Sequence, residues 1–174
     1  KDWKTIEKLT EDTMRDAYIV SSVRTPGCKR LKGAFKDTRP EDLLAFILGA
    51  AVEKVPNLDK KDVEDIMVGC SFPEAEQGLN IGRLASQMAG FPVEVTGATV
   101  NRFCSSGLQT IAIAAERIIA NGADIIIAGG IETMSLVPMT GHHLSPNPWL
   151  AENHPEVYMG MGQTAERVAD EYNI

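Results

Sequence analysis

The sequence is poor in cysteine, and its three cysteines are far apart. Cys28, Cys70 and Cys104 form no Cys-x-x-Cys pair. This spacing suggests neither a disulfide framework nor a zinc site. Unpaired thiols are typical of a reducing compartment, so we expect an intracellular protein.

An excess of basic charge and long apolar runs are also lacking. Acidic residues outnumber basic ones by 24 to 17, which gives a net charge of −7 and argues against non-specific binding to nucleic acid. No apolar run approaches the ~20 residues of a membrane span. A chain of 174 residues is long enough for one domain with a sizeable core.

The strongest chemical signal lies in residues 98–130. A β-prone run ends at Cys104, and apolar residues then recur at helical spacing. Ser105 or Ser106 is placed to cap this helix through its hydroxyl, and the Asn-Gly pair that includes Gly122 is expected to end it.

A cysteine between a strand and a helix start is placed for nucleophilic chemistry. The helix dipole favours the thiolate of Cys104, and free backbone N–H groups at a helix start can hold an oxyanion. The order is like the strand–nucleophile–helix elbow of hydrolases. The alternative is a core cysteine, since free cysteine is among the most buried residue types. The residues alone leave both open.

The rest of the pattern alternates strands with helices. A capping box at Thr38 and Glu41, with Pro40 in the first turn, predicts the start of the first helix. Alternation of this kind predicts an α/β fold, with a mostly parallel sheet and helices on both faces. Active sites in such sheets lie beyond the carboxyl ends of the strands. Strands are predicted over residues 17–23, 63–70, 93–101 and 124–130, and helices from residue 38, over 79–89 and after Cys104.

Three segments are expected. Residues 1–15 form an N-terminal extension or tag, residues 16–135 the α/β core, and residues 136–174 the start of a loop-rich domain that ends in a helix over 163–172. The histidines of this last segment match no metal-binding spacing, so no metal site is expected; they are His142, His143 and His154. Glu132 is either a general acid/base or a carboxylate that holds its loop by hydrogen bonds, and we favour the second.

Five ordered blocks resemble the thiolase family. The first three are Asn-Arg-Phe-Cys-Ser-Ser-Gly-Leu-Gln around Cys104, Gly-Gly-Ile-Glu-Thr-Met-Ser around Glu132, and Arg-Thr-Pro from Arg24. The other two are Gly-Leu-Asn-Ile-Gly-Arg from Gly78 and Gly-Gln-Thr-Ala-Glu from Gly162. The likeness runs from about residue 17 to residue 174, and it implies a thiolase-like fold.

The resemblance implies acyl transfer through a Cys104 thioester. The reaction is thiolytic cleavage of a 3-ketoacyl-CoA to acetyl-CoA and a shortened acyl-CoA, or the reverse Claisen condensation. Met161 matches a methionine that lines the family's acyl pocket, although a gap-filling core methionine is the alternative. Gly160 stands where some acetoacetyl-type members carry a histidine, which argues against short-chain specificity. No permanently bound cofactor is implied, and coenzyme A is a substrate.

The sequence lacks the family's second half, with its Asn-Glu-Ala-Phe, Gly-His-Pro and Cys-x-Gly blocks. The chain is therefore interpreted as the N-terminal portion of a thiolase, inactive in turnover by itself. The implied partners are acyl-CoA, CoA, the C-terminal half and further copies in a homodimer or homotetramer, without nucleic acid or a membrane span. Its expected location is the cytoplasm or a peroxisomal or mitochondrial matrix. The alternatives are an inactive scaffold or dimerisation fragment and a condensing enzyme of the ketoacyl-synthase type.

Overall fold

The computed structural model describes residues 15–120 and 122–174, so the expected extension over residues 1–15 lies outside the described residues except for Arg15. The chain divides into two compact units, Lys1–His142 and His143–Ile174. The helices and strands of the described residues are, in order, α1 (Pro40–Glu53), β1 (Asp65–Gly69), α2 (Ile81–Met88), β2 (Thr96–Val100), α3 (Ser106–Ile119), β3 (Ile126–Gly130), α4 (Pro148–Asn153) and α5 (Met161–Tyr172). No helix in this part of the chain is both long enough and apolar enough to cross a membrane.

The first unit is built on a parallel sheet with β1 in the middle. β2 and β3 pair with β1 along all five of its residues, and Gly69 lies opposite both Val100 and Gly130. All five residues of β1 are buried, as expected for a parallel strand that is covered on both faces. The predicted parallel α/β architecture is confirmed.

Alternate residues of β1 show which helices cover each face, because successive strand side chains point to opposite sides. Ile66, Val68 and Cys70 belong to the hydrophobic core that α1 and α2 complete. On the other face, Gly69 lies against the first turn of α3 and Asp65 pairs with Arg117 of α3. Helices therefore lie on both faces, as predicted.

The strand predicted over residues 17–23 does not form. Residues 15–29 contain neither helix nor strand, and Tyr18, Ile19 and Val20 are exposed. The sheet of the described residues has the order β2-β1-β3, and residues 17–23 add to neither of its outer strands. The segment instead borders an apolar cavity of about 610 Å³, together with residues of α1, α3 and β3.

The start of α1 differs from the sequence prediction. α1 begins at Pro40, as the proline indicates, but its N-cap residue is Arg39 and no side chain caps it. The predicted capping box at Thr38 and Glu41 therefore does not form. The Glu41 carboxylate instead accepts from the Arg39 guanidinium, with Nε 3.1 Å from Oε2.

The C-terminus of α3 lies just before the Asn-Gly pair that includes Gly122, as predicted. The helix ends at Ile119, and the N–H of Gly122 donates to the carbonyl of Arg117 at 2.7 Å. This is the long backbone bond of a Schellman-type helix end. The residue at position 121 lies outside the described residues.

The second unit consists of α4, α5 and a 3₁₀ turn at Pro155–Tyr158. Asn147 caps α4 by accepting from the N–H of Leu150 at 3.1 Å, and Pro148 occupies the first turn. The sequence showed no period here, because a helix of six residues is too short to display one. α5 includes the predicted helix over 163–172 and begins at Met161.

Candidate active site

Cys104 lies in a 3₁₀ turn, Phe103–Ser105, between the end of β2 and the first residue of α3. Its side chain is exposed, so the alternative of a buried core cysteine does not hold. The turn follows the carboxyl end of β2, the edge of the sheet at which ligands bind in parallel α/β folds. A thiol at this place precedes the positive end of a helix.

The backbone of this turn is strained. Phe103 has a φ of +46°, in the left-handed region that residues with a side chain adopt rarely. Its ring lies 6.1 Å from the ring of Phe72, between centroids. Strained conformations of this kind persist where the surrounding structure holds them, and they cluster at functional sites.

The two serines after Cys104 hold the turn rather than capping the helix. The hydroxyl of Ser105 donates to the carbonyl of Arg102 at 2.9 Å. The hydroxyl of Ser106 accepts from the N–H of Arg102 at 2.8 Å and donates to the carbonyl of Phe103 at 2.6 Å. The prediction that a serine caps α3 is therefore wrong, because both hydroxyls bond the preceding backbone.

Close packing fixes where α3 starts. A Cβ added to Gly69 would lie 2.4 Å from the carbonyl carbon of Ser106, so only glycine permits this approach. One turn further along, the hydroxyl of the fully buried Thr110 lies 2.9 Å from the carbonyl oxygen of Gly129 in β3. The first turns of α3 therefore rest directly on the backbone of β1 and β3.

Asn101 joins the turn to the end of β1. Its Nδ2 donates to the carbonyl of Ser71 at 3.0 Å, and its Oδ1 accepts from the N–H of Phe103 at 2.8 Å. Asn101 is not among the predicted site residues, although asparagine two residues before an accepted N–H is the pattern of an Asx turn.

Glu132 fastens the same region from the end of β3. Its Oε2 accepts from the N–H of Ser71 at 2.7 Å, and its Oε1 accepts from Nε2 of Gln77 at 2.7 Å. Gln77 is fully buried and was also missed, because nothing in the sequence separates it from a solvated glutamine. The favoured interpretation of Glu132, a carboxylate that holds its loop, is confirmed.

The three cysteines occupy different environments. Burial, and then the Glu132 carboxylate, raise the pKa of the Cys70 thiol to about 12, so Cys70 is a neutral thiol at physiological pH. Its Sγ lies 3.8 Å from Oε1 of Glu132. Cys28 and Cys104 are both exposed.

Two of the histidines have polar partners within their own segments or the first unit. His142 donates its backbone N–H to the carboxylate of Glu74, and His154 lies 3.2 Å from Glu156, between Nδ1 and Oε1. Within residues 15–120 and 122–174, no group of three or more histidine, cysteine or acidic side chains is arranged to hold a metal ion.

Met161 belongs to the second unit, where it is the first residue of α5 and is 70% exposed. Its role in an acyl pocket stays a prediction.

Comparison with known proteins identifies the family. The family model described as thiolase, N-terminal domain, matches residues 17–174. The chain is 48% identical over 161 residues to a 3-ketoacyl-CoA thiolase of Bacillus subtilis, covering 92% of the chain and 41% of that protein. A 3-ketoacyl-CoA thiolase of Idiomarina loihiensis is 38% identical with the same coverage.

A solved structure shows the same likeness. The crystal structure of the Bacillus anthracis acetyl-CoA acetyltransferase is similar with a TM-score of 0.78 and 31% identity, over 93% of this chain and 43% of that one. The chain thus spans less than half the length of the relatives it matches. With its cysteine turn between a parallel strand and a helix, and a family match over residues 17–174, the chain belongs to the thiolase family.

Proposed function

We propose that this chain supplies the nucleophile, Cys104, of a 3-ketoacyl-CoA thiolase, an acyltransferase of fatty acid metabolism. The observation that carries the proposal is the exposed thiol in the turn that joins the carboxyl end of β2 to the start of α3. The names of the relatives from Bacillus subtilis and Idiomarina loihiensis give the substrate class.

In the first step, the Cys104 thiolate attacks the 3-keto carbon of the substrate. The bond between C2 and C3 breaks, and its electron pair goes to C2, which leaves as the enolate of acetyl-CoA and takes up a proton. The acyl group remains on Cys104 as a thioester. This covalent intermediate divides one difficult carbon–carbon cleavage into two easier steps.

In the second step, the sulfur of free CoA attacks the thioester carbonyl and loses its proton. The acyl group leaves on CoA, and the Cys104 thiolate is restored. In the reverse direction, the same two steps amount to a Claisen condensation. We propose that the two proton transfers come from the remaining part of a thiolase, beyond the 41% of the relative's length that this chain spans.

The proposal includes coenzyme A as substrate rather than as a resident cofactor, and association with a C-terminal half and with further copies. The named relatives come from bacteria, which favours the cytoplasm over an organellar matrix.

Single-turnover acylation is the first test. The chain is incubated with acetyl-CoA, and intact-mass and peptide analysis measure the gain of one acetyl group and its position. We expect slow modification at Cys104 and none in Cys104→Ala. Acylation at another residue would overturn the assignment of the nucleophile.

Turnover is the second test. The chain is combined with a thiolase C-terminal half, and the loss of 3-ketoacyl-CoA absorbance is followed with CoA present. We expect thiolysis in the combined protein but not in the chain alone, because each missing acid–base group lowers the rate ~10²- to 10⁴-fold. Cys104→Ala should abolish the restored thiolysis, because no thioester can form without the thiol. An acylated Cys104 that never turns over in any combination would favour the scaffold alternative.

A further inference from the structure

We infer that Asn101 is the positioning residue of Cys104, and that its side-chain amide fixes the cysteine turn to the end of the central strand. The inference rests on the proposed role of Cys104 as the nucleophile. Asn101 itself is not proposed to touch the reacting atoms.

One side chain bridges two segments that are far apart in sequence. Nδ2 of Asn101 donates to the carbonyl of Ser71, just beyond β1, at 3.0 Å. Oδ1 accepts at 2.8 Å from the N–H of Phe103, the residue before the nucleophile. Both polar atoms of the amide are therefore used, and an apolar replacement would remove both contacts.

The turn needs this restraint because its backbone is strained. Phe103 is held at a φ of +46°, a conformation that a residue with a side chain leaves unless its surroundings oppose the change. The N–H that Asn101 engages belongs to this strained residue. Loss of the contact should let the turn relax and move the thiol of Cys104 away from the start of α3.

Asn101 is anchored to a fixed point. The N–H of Ser71 donates to Glu132 at 2.7 Å, and Glu132 accepts from the fully buried Gln77 at 2.7 Å. Hydrogen bonds thus run from the buried amide through Glu132 and Ser71 to Asn101 and Phe103. These hydrogen bonds therefore hold the cysteine turn relative to both β1 and β3.

Although Asn101 is uncharged, its replacement is expected to lower the reactivity of the Cys104 thiol. A thiol held before a helix N-terminus gains thiolate character from the helix dipole, an effect that fades within one turn. If the turn relaxes, the thiol of Cys104 loses its place before the helix start and should react more slowly. A residue that only stabilised the fold would not change this rate once the variant is folded.

The test is alkylation of the chain with iodoacetamide, followed by peptide mass spectrometry. Cys28 is exposed in the same molecule and serves as the internal reference. In Asn101→Ala we expect the ratio of Cys104 to Cys28 labelling to fall about tenfold, the scale of one or two lost hydrogen bonds.

Asn101→Ser is the second variant, and its labelling ratio decides the test if Asn101→Ala does not fold. A serine hydroxyl can still accept from an N–H two residues on but is too short to replace the contact with Ser71. We therefore expect partial rescue, with a labelling ratio between those of the parent chain and Asn101→Ala.

Asn80→Ala is the matched control. Nδ2 of Asn80 donates to the carbonyl of Gly97 at 2.9 Å and its Oδ1 accepts from the hydroxyl of Thr99 at 2.9 Å, so its loss breaks similar bonds away from the cysteine turn. It should lower stability without changing the ratio. An unchanged ratio in the folded Asn101 variants, or an equal fall in Asn80→Ala, would overturn the inference.

The alkylation needs no CoA, so its result does not depend on whether the proposed function is correct. A changed ratio supports the positioning role even if Cys104 never accepts an acyl group. Acylation by acetyl-CoA tests the nucleophile independently.

Discussion

Asp65, the first residue of β1, forms an ion pair with Arg117 in the last turn of α3. The Asp65 carboxylate is nearly buried, and its Oδ1 also accepts from the N–H of Ile66 at 2.9 Å. Gly69, at the other end of the same strand, contacts the first turn of the same helix. The two contacts fix α3 at both of its ends along β1.

Removal of the cation should destabilise the first unit. Arg117→Met leaves the Asp65 carboxylate buried without its partner, and we expect a loss of about 3 kcal/mol in the free energy of unfolding, the lower end for broken buried pairs because Arg117 is partly exposed. Urea unfolding measures it. Asp65→Asn combined with Arg117→Met should lose less than the two single changes together, and strict additivity would contradict this coupling.

The close approach of Gly69 should not tolerate a methyl group. In Gly69→Ala the added Cβ would lie 2.4 Å from the Ser106 carbonyl carbon, and such overpacking costs about 1–3 kcal/mol. Because α3 must then move, alkylation of Cys104 should also slow. Gly129→Ala is the matched control, since its Cβ would meet nothing within 4 Å, and equal losses in both variants would refute the steric explanation.

The three thiols should differ in their rates of alkylation. We expect sub-stoichiometric iodoacetamide to modify Cys104 first, because it precedes a helix start, then the exposed Cys28, and not the buried Cys70. Peptide mapping of the folded protein measures the order. Preferential modification of Cys28 or Cys70 would count against thiolate character at Cys104.

The Cys70 thiol should make the protein sensitive to alkaline pH. Its pKa is raised from 9.0 to about 12 by burial and by Glu132, so the unfolded state loses this proton at lower pH than the folded state. The stabilisation is complete below pH 9 and is lost as pH rises toward 12. Cys70→Ala should show a flatter fall in unfolding free energy across this window, whereas an unchanged slope would show that Cys70 does not cause it.

Exposed apolar side chains on α3 indicate that the chain associates with another polypeptide. The helix buries Ser106, Thr110 and Ala114, whereas Leu108 and Ile111 remain exposed. We therefore expect the chain not to be a stable free monomer but to pair with a C-terminal half, a second copy, or both. Sedimentation velocity and binding of an apolar dye measure this, and a monomer with cooperative unfolding and no dye binding would contradict it.

The sequence by itself determined the local pattern and the chemistry-bearing stretch. β1, β2, β3 and the helices between them lie within the predicted segments, because apolar periodicity and helix-ending residues act over a few neighbours. The position of Cys104 between strand and helix followed from the same local rules. The sequence also indicated that Glu132 holds its loop.

Only the tertiary structure decided which segments pair and which polar groups meet. The apolar run over residues 17–23 has strand propensity, yet it joins neither outer edge of the sheet, whose order is β2-β1-β3. Asn101 meets Ser71 across 30 residues, and Glu132 meets Gln77 across 55. Such contacts depend on how the strand ends are brought together at one edge of the sheet, and local sequence does not encode that placement.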